Sequence, residues 1–293
     1  MTDILDIQQV WCYYFFEVST VKSQLILEKE DLRYLSWTEI RNSSGTAGSF
    51  LKAYSELGGT KLYYKLSDYD ASKGIVGFEC VNELIVDRLL DILGIEHLHY
   101  QLIHADILLG GKEETVFLCA SEDFKQKGED KMALDAFFEA ERLPSESAMD
   151  FCMRQGWSDT IYRMLVVDYL ILNRDRHGTN IEVLRNRKMK TLRLAPLFDH
   201  GLSLLCRCRS DAEAEVFDVM EDRQVQSYVG SRSSLENLRL IPPDRRPRLH
   251  ALKESDRNIL MDGLDGVISK TLQDKTWDML WKRWCYYEAL CNS

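Results

Sequence analysis

Apolar residues recur along this chain with two periods, and the change from one to the other divides it. Up to about residue 120 the pattern is mainly alternating. It predicts strands at Val10–Val18 and Gln24–Glu28, and another in Lys61-Leu-Tyr-Tyr-Lys-Leu66 after the small, polar segment Asn42–Phe50. Between Gly77 and Leu93 the spacing becomes helical: Val81, Leu84, Ile85, Leu89 and Ile92 share one face, and Gly94 supplies a stop. Tyr100–Leu109 and Thr115–Ala120 read as two further strands joined by a turn at Gly110-Gly111. After Ser121 helical spacing dominates, over Asp130–Glu141, Ser158–Leu172, Glu254–Leu272 and Trp277–Leu290. One hairpin interrupts it, with strands Ile181–Leu184 and Thr191–Ala195 around the polar turn Arg185–Lys190. The chain has neither an internal repeat nor a low-complexity linker. A strand-rich half followed by a helical half predicts a two-lobed α+β protein, divided near Cys119–Asp123 into residues 1–120 and 121–293.

Composition narrows the class. The 293 residues are 45% apolar and 29% charged, the balance of an ordinary globular chain. Thirty-seven basic against 47 acidic residues leave a net charge of −10, which disfavours bulk binding to nucleic acid or to anionic membrane. The start, MTDILDIQQV, lacks the basic and apolar regions of a signal peptide. The most apolar run, Met164–Leu172, is interrupted by Asp168 and is far shorter than the roughly 20 residues of a membrane span. A cytoplasmic protein without membrane insertion is expected. The eight cysteines are scattered, with only Cys206-Arg-Cys208 close together, and read as reduced, mostly buried thiols.

The chemistry concentrates in Leu172-Asn-Arg-Asp-Arg-His-Gly-Thr-Asn180, a charged loop directly after a buried helix. The hairpin that follows returns the chain to its starting point, so Asn180 before it and Asp199 after it should meet. Two hard oxygen donors of this kind suit Mg²⁺. Asp175, at the head of the loop, would then face a substrate and orient or deprotonate an attacking hydroxyl. Arg174, Arg176 and His177 add positive charge that would hold a phosphate or brace Asp175; His177 has no second His or Cys beside it to complete a metal site.

Asn173-x-Asp175-x-His177-x-x-Asn180, followed by Leu197-Phe-Asp199-His-Gly201, resembles the catalytic loop and metal-binding segment of the HipA-like and phosphatidylinositol-kinase-like branch of the protein-kinase superfamily. The resemblance spans roughly residues 43–203 and implies a two-lobed protein-kinase-like fold using ATP and Mg²⁺. By position, Asp175 would be the catalytic base and Asn180 and Asp199 the metal ligands. Ser44-Gly45-Thr46-Ala47-Gly48-Ser49 resembles a phosphate-cradling loop, in which small residues let backbone N–H groups approach an anion. Lys65 would pair with the nucleotide phosphates and Glu83 would hold that lysine, with Lys52 and Lys61 as alternatives to Lys65. Residues 118–122, including Cys119 and Ser121, would be the hinge against adenine, and His177 would lie beside the nucleotide. The pattern departs from eukaryotic protein kinases in its glycine-rich loop and in having Asn173-Arg-Asp175 where they have His-Arg-Asp.

The expected activity is therefore transfer of the ATP γ-phosphate to a Ser or Thr hydroxyl of a protein, with autophosphorylation at Ser43, Ser44, Thr46 or Ser49. A lipid or small-molecule kinase shares the loop pattern and is the alternative within the same chemistry. A pseudokinase, or a binding module with an antitoxin or regulatory partner, is the alternative outside it. No helix-turn-helix pattern supports direct nucleic-acid binding, and Arg245-Arg-Pro-Arg248 reads as a solvated loop.

Overall fold

The computed structural model describes residues 24–38, 50–57, 59–70 and 72–293. The expected strand at Val10–Val18, the loop residues Gly45, Thr46, Ala47, Gly48 and Ser49, and the expected phosphorylation positions Ser43, Ser44, Thr46 and Ser49 lie outside them. The described chain is α+β. Its first half holds strands β1 (Leu25–Asp31), β2 (Lys52–Leu57) and β3 (Thr60–Leu66), a small hairpin of β4 (Tyr69–Asp70) and β5 (Gly74–Ile75), and helix α1 (Glu79–Leu93). It continues with β6 (Gln101–Leu109) and β7 (Lys112–Glu122). The main sheet has the order β1-β6-β7-β3-β2, antiparallel except where β1 runs parallel to β6.

Two-residue turns of positive φ set the register of its longest ladder. Gly110 and Gly111 have φ of 56° and 85°, the conformation that a tight hairpin matching the strand twist requires. They fix Leu109 opposite Lys112 and Gln101 opposite Ala120. Alternation then separates two cores. Tyr64, Leu66, Ile103, Ala105, Ile107, Leu118 and Ala120 pack on the face away from α1, while Leu102 and Cys119 pack on the face towards it. Lys65, lying between Tyr64 and Leu66, must therefore point towards α1. That helix stops at Gly94, left-handed at φ 69°, whose N–H bonds Asp91 O while Ile95 N–H reaches Leu90 O.

The second half opens with β8 (Asp130–Ala133), then helices α2 (Leu134–Glu141), α3 (Ala148–Arg154) and α4 (Ser158–Leu170). The short strand β9 (Asp175–Arg176) precedes the hairpin of β10 (Glu182–Asn186) and β11 (Thr191–Leu194). Helix α5 (Asp211–Glu215), strand β12 (Gln226–Ser227) and helices α6 (Ser234–Arg239), α7 (Arg257–Met261) and α8 (Lys270–Cys291) complete it. Helix α4 is the hub. Ile161, Met164, Leu165, Val166, Val167 and Leu170 are all buried, and the helix packs against α6 and α8. Each such side chain contributes roughly 1.5–3 kcal/mol by leaving water. Among the described residues no helix is long and apolar enough to cross a membrane.

Two helical expectations change. Asp130–Glu141 is helix only from Leu134, because Asp130–Ala133 pairs with β10, Met132 opposite Val183. Glu254–Leu272 breaks into a 3-10 turn at Glu254–Asp256, the short α7 and the start of α8; Gly263 and Gly266, with φ of 70° and 85°, turn the chain between them. The described cysteines are all free thiols, with Cys80, Cys119, Cys152, Cys206 and Cys208 buried and Cys285 and Cys291 exposed.

Candidate active site

Lys65 leaves β3 towards α1 and meets two carboxylates. Its Nζ lies 3.2 Å from Glu83 Oε1 and is hydrogen-bonded to Asp199 Oδ1, with the Phe50 ring centroid 4.7 Å away. The lysine side chain is 12% exposed and Glu83 is wholly buried, so these charges interact with little water between them. Burial alone would lower the Lys65 amine, but Asp199 and Glu83 outweigh it and hold the amine well above its usual range. Burial works against the Asp199 carboxylate too, yet Lys65 pulls it down to about 2. Glu83 is raised, because full burial exceeds what Lys65 returns and Asp199 adds repulsion.

The segment carrying Asp199 is held to α1 by its backbone. His200 N–H donates to Glu83 Oε2 at 2.9 Å, and Asn82 Nδ2 donates to the carbonyls of Gly201 and Ser203 at 2.9 and 3.1 Å. A Cβ on Gly201 would stand 3.0 Å from Glu79 Cβ and 3.3 Å from Glu83 Oε1, so any larger residue would press these neighbours apart by a few tenths of an ångström. Asp199 itself is left-handed, φ 58°, and its N–H donates to the Tyr100 hydroxyl at 3.2 Å. Leu172 and Leu204 are also left-handed, at φ 50° and 52°, although both are fully buried. Three strained residues on the two segments of one site are the kind of cost that surrounding packing sustains at functional positions.

The loop after α4 is organised by Arg176, which is 1% exposed. Its guanidinium grips Asp168 of α4 through Nε and Nη2, at 2.9–3.2 Å. Its Nη1 donates to Asn180 O at 3.1 Å and to Phe198 O at 2.9 Å. One nitrogen thus draws together the backbones of Asn180 and of the residue before Asp199, which the hairpin had been expected to do by itself. Asn173 Nδ2 also bonds Asp168, and its Oδ1 accepts from Asp175 N–H at 3.1 Å. The Asn180 amide nitrogen donates to Asp175 O at 2.8 Å, which commits the nitrogen and leaves the amide oxygen as its free polar end. Asp175 is raised, first by burial and further by Asp199, while His177, 3.6 Å from its Oδ2, acts in the opposite direction. His177 also pairs with Thr179 Oγ1 at 2.6 Å, so it braces the loop by hydrogen bonds.

Arg176 is the residue that sequence reasoning placed among phosphate-binding or bracing charges and did not recognise as buried. The signal was Asp168, a lone carboxylate within an apolar helical run, which needs a partner once buried. The hinge expectation also shifts. Cys119 is buried in β7 with its backbone between Lys65 on one side and Leu102 on the other, so it offers nothing to a ligand. Ser121 pairs only with Tyr63 on β3 and sits at the open end of the strand, which runs on to Glu122. Two cavities, of about 850 and 580 Å³, have none of Lys65, Asp175, Asn180 and Asp199 in their lining; Tyr100 and Ser121 line the smaller one.

A lysine on an inner strand paired with a helix glutamate, above a helical half that carries a charged loop and an Asp–x–Gly segment, belongs to the protein-kinase-like fold. The fold is shared with a solved kinase. The structure of the Helicobacter pylori proinflammatory kinase CtkA aligns with a TM-score of 0.60 at 16% identity, covering 90% of this chain and 97% of that one. HipA of Shewanella oneidensis MR-1, solved with HipB and operator DNA, aligns with a TM-score of 0.40 at 15% identity over 87% of this chain and 62% of its own. No protein-family model matches the sequence, and no curated protein matches it significantly.

Proposed function

We propose that this chain is an ATP- and Mg²⁺-dependent kinase that transfers a phosphoryl group to a Ser or Thr hydroxyl of a protein. The observation that carries the reading is the Lys65 ammonium clasped by Glu83 and Asp199, with Asp175 on the loop that Arg176 ties to the same segment. In this reading Glu83 keeps Lys65 charged and aimed at the nucleotide phosphates, and residues 1–120 and 121–293 form the lobes on either side. That division would fall within the last residues of β7.

The donor set fits a hard cation. Asp199 offers a carboxylate ionised far below neutral pH, and Asn180 an amide oxygen whose nitrogen is already engaged. When bound there, Mg²⁺ would neutralise phosphate charge during transfer. Asp175, held by Asn173, would orient the acceptor hydroxyl and take its proton. Gly45–Ser49 would cover the phosphates and Ser121 would border the adenine, while His177 would steady the loop beside the nucleotide. An antitoxin or other regulatory protein is a partner to seek by co-purification; the HipA likeness is too loose to carry one over.

The test is transfer of labelled γ-phosphate from Mg·ATP, to the chain itself and to protein and lipid acceptors, by wild type and by Asp175→Ala, Asp199→Ala and Lys65→Met. Each variant is expected to lose about 10²-fold or more in rate. Label appearing only on lipid would overturn the acceptor assignment. Failure to bind Mg·ATP would overturn the kinase reading itself.

A further inference from the structure

One turn along α1 from Glu83, four metal-ligating side chains converge: Asp87 and Asp91 on the helix, and His97 and His99 just beyond it. One ligand atom from each lies within 4.8 Å of the others. Asp87 is wholly buried and His97 nearly so, whereas Asp91 and His99 face solvent at 50% and 70% side-chain exposure.

Both oxygens of Asp87 are engaged. Its Oδ2 is taken by the Tyr100 backbone N–H. Its Oδ1 faces three nitrogens: His97 Nε2 at 3.0 Å, Gln24 Nε2 at 3.2 Å and His99 Nδ1 at 3.3 Å. Three nitrogens thus crowd one carboxylate oxygen, and only the Gln24 amide among them is a fixed donor; the two imidazole nitrogens can equally present lone pairs. His97 is fixed at both ring nitrogens. Its Nδ1 lies 2.7 Å from Ile95 O and donates to it, which turns Nε2 towards Asp87 Oδ1, the orientation in which an imidazole can ligate an ion beside that carboxylate. The second imidazole lies edge-on with its centroid 4.5 Å away, which brings the two rings to one side of the carboxylates.

We propose that these four converging side chains hold a divalent zinc-class ion through His97 Nε2, His99 Nδ1, Asp87 Oδ1 and Asp91 Oδ1. Bonds of about 2.0–2.2 Å put the ligands of a tetrahedral ion roughly 3.3 Å apart. The spacings here are 3.0 Å from His97 to Asp87, 3.3 Å from His99 to Asp87 and 3.9 Å from His97 to Asp91, and the two outer ligands are on exposed, rotatable side chains. Two imidazoles with two carboxylates select a transition ion over Mg²⁺, which favours all-oxygen shells. The supporting contacts are those of a metal centre: Ile95 O fixes the His97 tautomer, Tyr100 N–H holds the far Asp87 oxygen, and Gln24 Nε2 holds Asp91 Oδ2 at 3.4 Å. A cavity of about 580 Å³, lined in part by Asp91, His97 and His99, gives access.

The site joins distant parts of the chain. His97 bridges Leu197, two residues before Asp199, and Leu98 N–H bonds Leu197 O at 2.8 Å. An ion here would tie the end of α1 to the segment that carries Asp199.

The experiment dialyses the purified full-length chain against zinc in excess Mg²⁺, then measures bound metal and thermal midpoint. His99→Ala and Asp91→Asn serve as variants because both side chains are exposed and their loss leaves the core intact. Expected are one zinc per chain, a midpoint raised by zinc, and about tenfold or greater loss of affinity in each variant. Cobalt in place of zinc should give the visible spectrum of a tetrahedral nitrogen–oxygen site. Less than one zinc per chain, binding untouched by both variants, or a cobalt spectrum with thiolate charge-transfer bands would each overturn the proposal. Unlike the kinase reading, this result does not depend on nucleotide binding or transfer.

Discussion

Arg176 shows how a charge can organise a site without touching the reacting groups. It is raised above its ordinary range, since the pull of Asp168 outweighs burial, and it spends its donors on one carboxylate and two carbonyls. Replacing it with Met keeps the volume but strands Asp168 as a buried, poorly paired anion. Arg176→Met is expected to lose about 3–5 kcal/mol in urea unfolding, with activity falling further than stability explains. In the proposed role of base, Asp175 works ionised, and burial with Asp199 raises its folded value, so the acid limb of kcat/KM should lie above the ordinary aspartate range near 3.9. His177 opposes that rise. His177→Gln removes the opposing charge, so the limb should move to still higher pH. A limb that stays in place or moves down would show that Asp175 is not the group being titrated.

At the level of elements, what could be read in advance depended on whether the cause was local. Helix α1 was legible because its apolar spacing and Gly94 are written in one stretch, and the β6–β7 hairpin because Gly110-Gly111 dictates its turn. The convergence of Asn180 and Asp199 was legible from the hairpin between them, although Arg176 makes the connection. The parallel pairing of β1 with β6 brings together residues more than seventy positions apart, and no local pattern announces it. Asp130–Ala133 has helical spacing but is drawn into a strand by β10, a tertiary override of local preference. The break between α7 and α8 is marked locally by Gly263 and Gly266, whose positive φ outweighs the helical spacing around them. Gly201 joins two elements in a way that substitution can probe. A methyl group there presses on Glu79 and Glu83, so Gly201→Ala should cost about 1–3 kcal/mol in stability. It should also weaken the Lys65 clasp, read as a higher KM for ATP.

For the molecule as a whole, the question is what holds the strand-rich half to the helical half. Part of the answer is apolar, since α1 shares one continuous core with α4 and α8. The other part is polar: Glu83, Asn82, Tyr100 and Lys65 all bond residues 199–203, while Arg88 reaches the carbonyls of Leu260 and Asp262 and Arg209 reaches Asp68. A nucleotide bridging Lys65 and Asp199 would therefore load the junction itself. Any ligand that binds only the folded state stabilises it by mass action, about 2.7 kcal/mol at a hundred times its Kd. Mg·ATP should then raise the thermal midpoint by several degrees, at roughly 2–4 °C per kcal/mol for a chain approaching this size. Asp199→Asn should abolish the part of that shift that depends on Mg²⁺ and keep the part due to ATP alone, because Lys65 and Glu83 remain. If ATP shifts the midpoint equally with and without Mg²⁺ in wild type, Asp199 serves only as the structural partner of Lys65. The metal ligand of the phosphoryl-transfer site must then be sought elsewhere.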